Sequence, residues 1–413
     1  MATPASRVHT PVASKIPIFD IDTHWAEPAD LWTSRAPAKY KDKVIHIKEK
    51  KDGSQVWMVN DRQIGMAGPS VIDKNLNKVY QVTSIARFDQ MADASYDAKA
   101  RLKVMDSYNV GTQIVYPNVI GFGAQTLMAL SNDVELRQWH ITAYNDALAE
   151  LQKAGEGRLL PQAALPLWDI DASLKELHRA REKLGLTGIV MSDNPDHFGQ
   201  KPLTDPTWDR FFATCQDLEL PINFHIASGS SWEGDLSAWW EEDKTMIRED
   251  RTLNGPLCVF QGLKLFMNNV NDISNLILTG ILEKYPRLKF VSVESGASWI
   301  PFVVQSIEHY FGEVMTPAER ARFSRTPTQM FRDQIFASYW FENRNAVDFF
   351  VKEFGGDNLM FETDFPHPNS LYPDVAGKID ESLGWLDEET RRKILYKNAE
   401  RVYGVPVAGI GKK

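Results

Sequence analysis

From residue 17 onward, short apolar runs rich in β-branched and aromatic residues alternate with longer segments whose apolar positions recur every three to four residues. That alternation is the pattern of βα units, in which a parallel strand is followed by a helix packed on its face. Strands are expected at residues 16–21, 112–116, 160–164, 188–191, 221–225, 289–293, 334–339 and 358–361. Eight parallel strands close into a barrel filled by side chains, so the expected fold class is α/β, a (β/α)8 TIM barrel. Leu174, Leu177, Ala180 and Leu184 make one of the helical stripes between strands, and Gly185 is placed to end it.

One connection is too long for a βα loop. Some seventy residues separate the first strand from a helix expected around 98–108, and they contain a hairpin-like piece, 44–50, Asp52-Gly53 and 55–59. We expect residues of about 30–95 to form an inserted cap or lid on a single 1–413 domain, after a flexible tail at 1–15. Residues 257–285 read as an apolar helix and 232–250 as an acidic, Trp-rich loop, with a dimer surface as the alternative to core packing and solvated loop. The amphipathic last helix, 387–403, is expected in the outer ring.

The chain of 413 residues is ample for a barrel of roughly 250 residues plus insertions. A net charge of −9 without a basic cluster argues against a nucleic-acid partner. No run of about 18 apolar residues suggests a membrane span, and the polar start has no apolar core of a signal peptide, so a cytoplasmic protein is expected. Cys215 and Cys258 have no Cys-x-x-Cys spacing and suggest neither a disulfide framework nor a thiolate site.

Barrel enzymes carry their reactive groups at the C-terminal ends of strands. Asp22 and His24 follow the first strand, two residues apart and hence expected on one face; His225 ends the fifth, Glu294 the sixth, and Asp364 and His367 follow the eighth. Each alone has an ordinary explanation, a hydrogen-bonding His or a turn-capping Asp. Four strand ends offering a His or carboxylate together point to a divalent metal: zinc, manganese or iron, one ion or two. Asp364, His225 and Glu294 are the expected catalytic groups, and Asp22, His24, His225, Glu294, Asp364 and His367 the expected metal ligands. Arg101 and Asn118, able to meet a substrate carboxylate, and Trp25 and Trp299 are the expected substrate-binding residues. Trp32, Trp57, Trp232, Trp239, Trp240 and Trp340 add a hint of an aromatic pocket, or only of packing. His140 and Tyr144, one turn apart, are assigned to the core.

The run Asp20-Ile21-Asp22-Thr23-His24-Trp25-Ala26-Glu27-Pro28, His225, Glu294-Ser295-Gly296 with Trp299, Asp364-Phe365-Pro366-His367 and the Asn398-Ala399-Glu400-Arg401 ending together resemble the amidohydrolase-related enzymes that include aminocarboxymuconate semialdehyde decarboxylase. The resemblance implies metal positions at His24, His225 and Asp364, with Asp22 where many relatives have the first His of a His-x-His pair. A carboxylate there hardens the site toward manganese or iron. No Lys follows the fourth strand, so the bridging lysine of dinuclear hydrolases is missing and one ion is the simple reading. The implied activity is a hydrolase or a non-oxidative decarboxylase acting on a small aromatic or apolar carboxylate. Two other classes remain open: a diiron oxygenase, to be recognised by colour and oxygen uptake, and a non-catalytic binding scaffold. The partners expected are a small-molecule substrate and further copies of the chain, in a homodimer or higher oligomer.

Overall fold

A computed structural model of the chain describes residues 16–69, 71–78, 84–130, 133–229 and 255–409. The tail expected at 1–15 and the Trp-rich segment with Trp232, Trp239 and Trp240 lie outside the described residues. The architecture is mixed α/β. Its strands are β1 (Ile18–Asp20), β2 (His46–Glu49), β3 (Gln55–Val59), β4 (Arg62–Met66), β5 (Gly68–Pro69), β6 (Ser84–Ile85), β7 (Val110–Val115), β8 (Leu159–Pro161), β9 (Ile189–Val190), β10 (Ile222–His225), β11 (Phe290–Val293), β12 (Ile335–Tyr339) and β13 (Leu359–Phe361).

The eight runs expected from the apolar pattern are β1 and β7 to β13. They pair in parallel as β1-β7-β8 and β13-β12-β11-β10-β9. Parallel bridges Ala163–Ile189 and Thr23–Phe365 join these two sheets at both edges. Backbone bonds Val190 N to Ala163 O (3.2 Å), Ile21 N to Phe361 O (3.0 Å) and Asp364 N to Asp22 O (2.9 Å) reinforce the joins. Every one of the eight strands therefore has a neighbour on each side.

Strands buried on both faces read as continuous apolar runs rather than as alternating ones. Here the two-residue period sorts the runs into two cores. Phe19, Ile21, Ile114, Tyr116, Val291 and Val293 belong to an inner cluster, whereas Ile18, Val115, Phe224 and Phe290 pack outward in the larger cluster beneath the helices. The last helical stretch meets the outer-ring expectation at Ile394 and Leu395, which pack in the larger cluster, and departs from it beyond them. Ala399, Val402 and Tyr403 join the inner cluster. The Tyr403 hydroxyl donates to Asn223 Oδ1 at 2.7 Å, and Ala408 N donates to Thr112 Oγ1 at 3.0 Å. This segment covers the N-terminal ends of the strands. Gly111 permits the approach, since a Cβ there would lie 2.3 Å from Ala408 O.

The insertion after β1 contains the expected hairpin β2-β3 and a third antiparallel strand, β4, that the hydrophobic pattern does not reveal. Its tryptophans are packing elements. Trp32 stacks on Tyr144 and meets Trp57 edge-on at 5.7 Å, and the Trp57 indole N–H donates to Ala67 O at 3.1 Å. His140 lies in the core, as expected: Nδ1–H donates to Leu136 O at 2.8 Å, and Nε2 accepts from Ile45 N at 3.2 Å. Among the described residues no helix is long and apolar enough to cross a membrane.

Candidate metal centre

The strand-end residues converge. Asp22, His24, His225 and Glu294 form one set of potential ligands, and His24, Glu294, Asp364 and His367 a second that shares two members; all six are buried. The regular part of β1 stops at Asp20, so the simple two-residue alternation does not orient Asp22 and His24. Isolated bridges do so instead, Thr23 to Phe365 and His24 to Tyr116. Glu294 and Asp364 both adopt left-handed backbone, each with φ 61°. At non-glycine residues this costs roughly 1–2 kcal/mol each and is held where the site requires it. At Glu294 it breaks the alternation that would turn the side chain away from the inward-facing Val293.

The two ring nitrogens of each central histidine have different tasks. His24 Nδ1–H donates to Pro117 O at 3.1 Å and His225 Nδ1–H to Ile226 O at 2.8 Å, which leaves both Nε2 lone pairs facing each other at 3.3 Å. Around them, His24 Nε2 lies 3.5 Å from Asp22 Oδ1 and 3.4 Å from Asp364 Oδ1. His225 Nε2 lies 3.5 Å from the same Asp22 oxygen and 3.3 Å from Glu294 Oε2. Ligands about 2.1 Å from an ion are separated by about 3.0 to 3.4 Å in octahedral or tetrahedral geometry. The spacing is that of the edges of a coordination polyhedron.

The polar atoms here also lack other partners. Both carboxylate oxygens of Asp22, and His367 Nε2, are buried without a hydrogen-bond partner, while Asp364 Oδ1 lies 2.7 Å from His367 Nδ1. Burial, followed by Asp364 and Glu294, drives the Asp22 carboxyl well above its ordinary range. Burial and Asp364 lift Glu294 to about 7, and burial lifts Asp364 as well. Burial pushes His24 and His225 down and His367 to about 4. Neutral imidazoles beside carboxylates that burial and mutual repulsion hold protonated are what a dication would reverse, supplying the missing counter-charge. These residues therefore fit a divalent ion.

A ring of buried groups positions these side chains. Asp20 accepts from Thr363 N (2.9 Å), Thr363 Oγ1 (2.6 Å) and Gln113 Nε2 (3.1 Å), and so ties β1 to the end of β13. Glu294 N donates to Ser338 Oγ at 3.0 Å and Glu362 Oε2 at 3.2 Å. Glu27 accepts from Asn118 N (3.0 Å) and Val119 N (2.9 Å), shaping the loop that presents Pro117, and Glu342 accepts from Ala297 N (2.5 Å) in the loop after Glu294. Phe122 lies on the His225 ring at 4.0 Å. Sequence reasoning missed Glu27, Glu342, Glu362 and Phe122. Only Glu27, adjacent to the Asp-x-His run, and Glu362, polar at the end of an apolar strand, carried a signal.

Two expected substrate-binding residues lie in the interior. Arg101 is buried behind the site, donating to Ala94 O at 2.7 Å, to Thr23 Oγ1 at 3.3 Å and to His24 O, with its guanidinium over the Phe365 ring. It clamps the backbone that carries His24 with three of its five N–H donors. Trp25 is in the core, its N–H donating to Tyr96 O at 3.0 Å. Asn118 and Trp299 stand in the loops after β7 and after Glu294, the Trp299 N–H donating to Ser295 O at 3.0 Å.

Comparison with known proteins adds an independent line. Residues 20–405 match the family model described as Amidohydrolase. A gamma-resorcylate decarboxylase of Rhizobium sp. (strain MTP-10005) is 26% identical over 314 residues, covering 73% of this chain and 86% of the relative. An amidohydrolase from Mycobacterium avium subsp. paratuberculosis K-10 has a similar structure, with TM-score 0.72 and 19% identity, over 95% of this chain and 99% of that one. A dihydroxybenzoic acid decarboxylase from Polaromonas sp. JS666, solved with manganese and the inhibitor 2-nitroresorcinol, aligns with TM-score 0.61 and 16% identity over 94% and 97% of the two chains.

Proposed function

This chain belongs to the amidohydrolase family, and we propose that it is a metal-dependent carboxy-lyase that removes carbon dioxide from a small aromatic carboxylate without consuming oxygen. The observation that carries the proposal is the buried cluster itself, in which two imidazole Nε2 atoms, the partnerless oxygens of Asp22 and the carboxylate of Asp364 face one another. The decarboxylase names of the curated relative and of the manganese-bound structure support this reaction over hydrolysis, which would use the same ligands. The unbroken round of strand pairings supports a (β/α)8 barrel in a single 1–413 domain, and the antiparallel insertion supports a cap of about 30–95 on its catalytic face.

In this reading Asp22, His24, His225 and Asp364 hold one manganese, zinc or iron ion, with Glu294 and His367 at its margin. Bound there, the ion supplies a Lewis acid that polarises a substrate oxygen. Asp364, buried beside His367 with an Nδ1–Oδ1 separation of 2.7 Å, holds the proton to be delivered. It gives that proton to the ring carbon bearing the carboxylate. The bond from that carbon to the carboxylate then breaks, its electron pair restores the ring, and carbon dioxide leaves. Asn118 and Trp299 are the substrate-facing candidates that remain. An exposed apolar stripe on the helix Gly255–Leu278, Val259, Leu263 and Met267, supports a homodimer.

Elemental analysis with a carbon dioxide assay on hydroxybenzoates tests the proposal. We expect about one manganese, zinc or iron per chain, lost in Asp22→Asn and Asp364→Asn, and carbon dioxide release under nitrogen. A metal-free active protein would overturn it, as would two irons per chain with oxygen uptake. Of these outcomes, only the last would revive the oxygenase alternative.

A further inference from the structure

The cap segment between β5 and β6 is anchored to the loop that carries His367. Ile72 N donates to Pro366 O at 2.9 Å, and Lys74 N to Gln90 O at 2.9 Å. The turn that follows is fixed from within, Asp73 Oδ1 accepting from Asn75 N and Asn77 N, both at 2.8 Å. Lys78 leaves this turn and donates through Nζ to Ser370 O. Ser370 N in turn donates to His367 O at 3.0 Å. Asn369, next in sequence to Ser370, bonds the Glu294 carboxyl. The Lys78 ammonium thus sits half-buried at the rim of the metal cluster. Among the described residues no carboxylate lies within ion-pair distance of it.

Charge balance gives this ammonium a task. With Asp364 holding its proton, Asp22 and Glu294 already balance one divalent ion, and once Asp364 has given the proton up the cluster stands at about −1. A carboxylate substrate adds a negative charge that nothing in the cluster offsets. Two cations act on the cluster electrostatically among the described residues, Arg101 on His24 and His367, and Lys78 on Asp364. Arg101 has three of its five donors on Ala94, Thr23 and His24, and it is buried behind the backbone of His24. Lys78 uses one donor on a neutral carbonyl, and an ammonium has three. Burial also draws Lys78 below its ordinary range, as expected of a cation that lacks a bound counter-ion.

We propose that Lys78 recognises the anionic group of the substrate as it enters under the cap, making this cap lysine a specificity-determining residue for carboxylates. This rests on the carboxylate-substrate reading above. The ammonium needs only to turn about its long stem, while Ser370 O keeps its position defined in the free enzyme.

The test compares manganese-loaded wild type, Lys78→Met and Lys78→Arg in calorimetric binding of 2,6-dihydroxybenzoate and of resorcinol, which differ by the carboxylate alone. Metal content and melting temperature are recorded for each protein. Wild type should bind the benzoate at least tenfold tighter than resorcinol. Lys78→Met should lose that preference with resorcinol binding and manganese content unchanged, and Lys78→Arg should retain most of it. A preference that persists in Lys78→Met overturns the role of Lys78 and leaves the carboxy-lyase reading standing. A wild type without any preference for the carboxylate overturns both. Loss of manganese or of the melting transition in both variants would assign Lys78 to holding the cap, and would also overturn the inference.

Discussion

His140 provides a quantitative test of how the insertion is attached to the body of the molecule. Its Nε2 accepts from Ile45 N in the insertion, and its Nδ1–H donates to Leu136 O within the helix Val134–Ala154, so the neutral ring bridges the two. Burial lowers its pKa from the ordinary 6.5 to about 4. Between these values the unfolded chain binds a proton that the folded protein refuses, so stability falls as pH falls. The gap corresponds to at most about 3 kcal/mol, of which about 1 kcal/mol is lost by pH 5.5 and about 2.5 kcal/mol by pH 4.5. In His140→Phe the Ile45 N–H loses its acceptor, which costs about 1–3 kcal/mol at pH 7. The variant no longer titrates at this position, so the wild-type advantage should shrink by about 2.5 kcal/mol between pH 7 and 4.5. Urea unfolding followed by circular dichroism at pH 7, 5.5 and 4.5 measures that difference, and all other titrating groups cancel in it. A difference that stays constant with pH would refute the bridge.

Two further outcomes follow from the packing. Gly111→Ala places a methyl 2.3 Å from Ala408 O and 2.9 Å from Val407 Cγ2, so the terminal segment must lift; we expect a loss of about 2 kcal/mol and a lower melting temperature at unchanged metal content. An unaltered melting curve would show that the terminal segment contributes nothing there. Arg101→Met removes the clamp on Thr23 and His24, and metal affinity measured by competition with a chelator should fall about 10- to 100-fold. A change confined to KM would instead restore Arg101 to the substrate.

Much of the candidate metal cluster was legible in the linear sequence because parallel strand pairing converts strand order into proximity. His225 and Glu294 end apolar runs and Asp364 follows one, and parallel strands bring such ends to one face. The groups that align them were not legible, for a reason visible in Arg101 and Glu27. Each acts on the backbone of a distant loop, and a bond to a carbonyl or amide leaves no mark on the identity of the residue that receives it.

The sequence by itself located the eight parallel strands, though not their ends, because a short apolar run has few places to go but a buried sheet, and it indicated which strand ends offer candidate ligands. Only the tertiary structure decided the rest: that Trp25, Trp32 and Trp57 are packed rather than presented, that β4 completes the inserted sheet, that Tyr403 seals the interior, and that Lys78 meets the loop of His367. Aromatic area, an exposed strand and a long amine have the same composition wherever they are placed. Their roles come from partners tens or hundreds of residues away, brought together by the same burial that the apolar pattern announces only in outline.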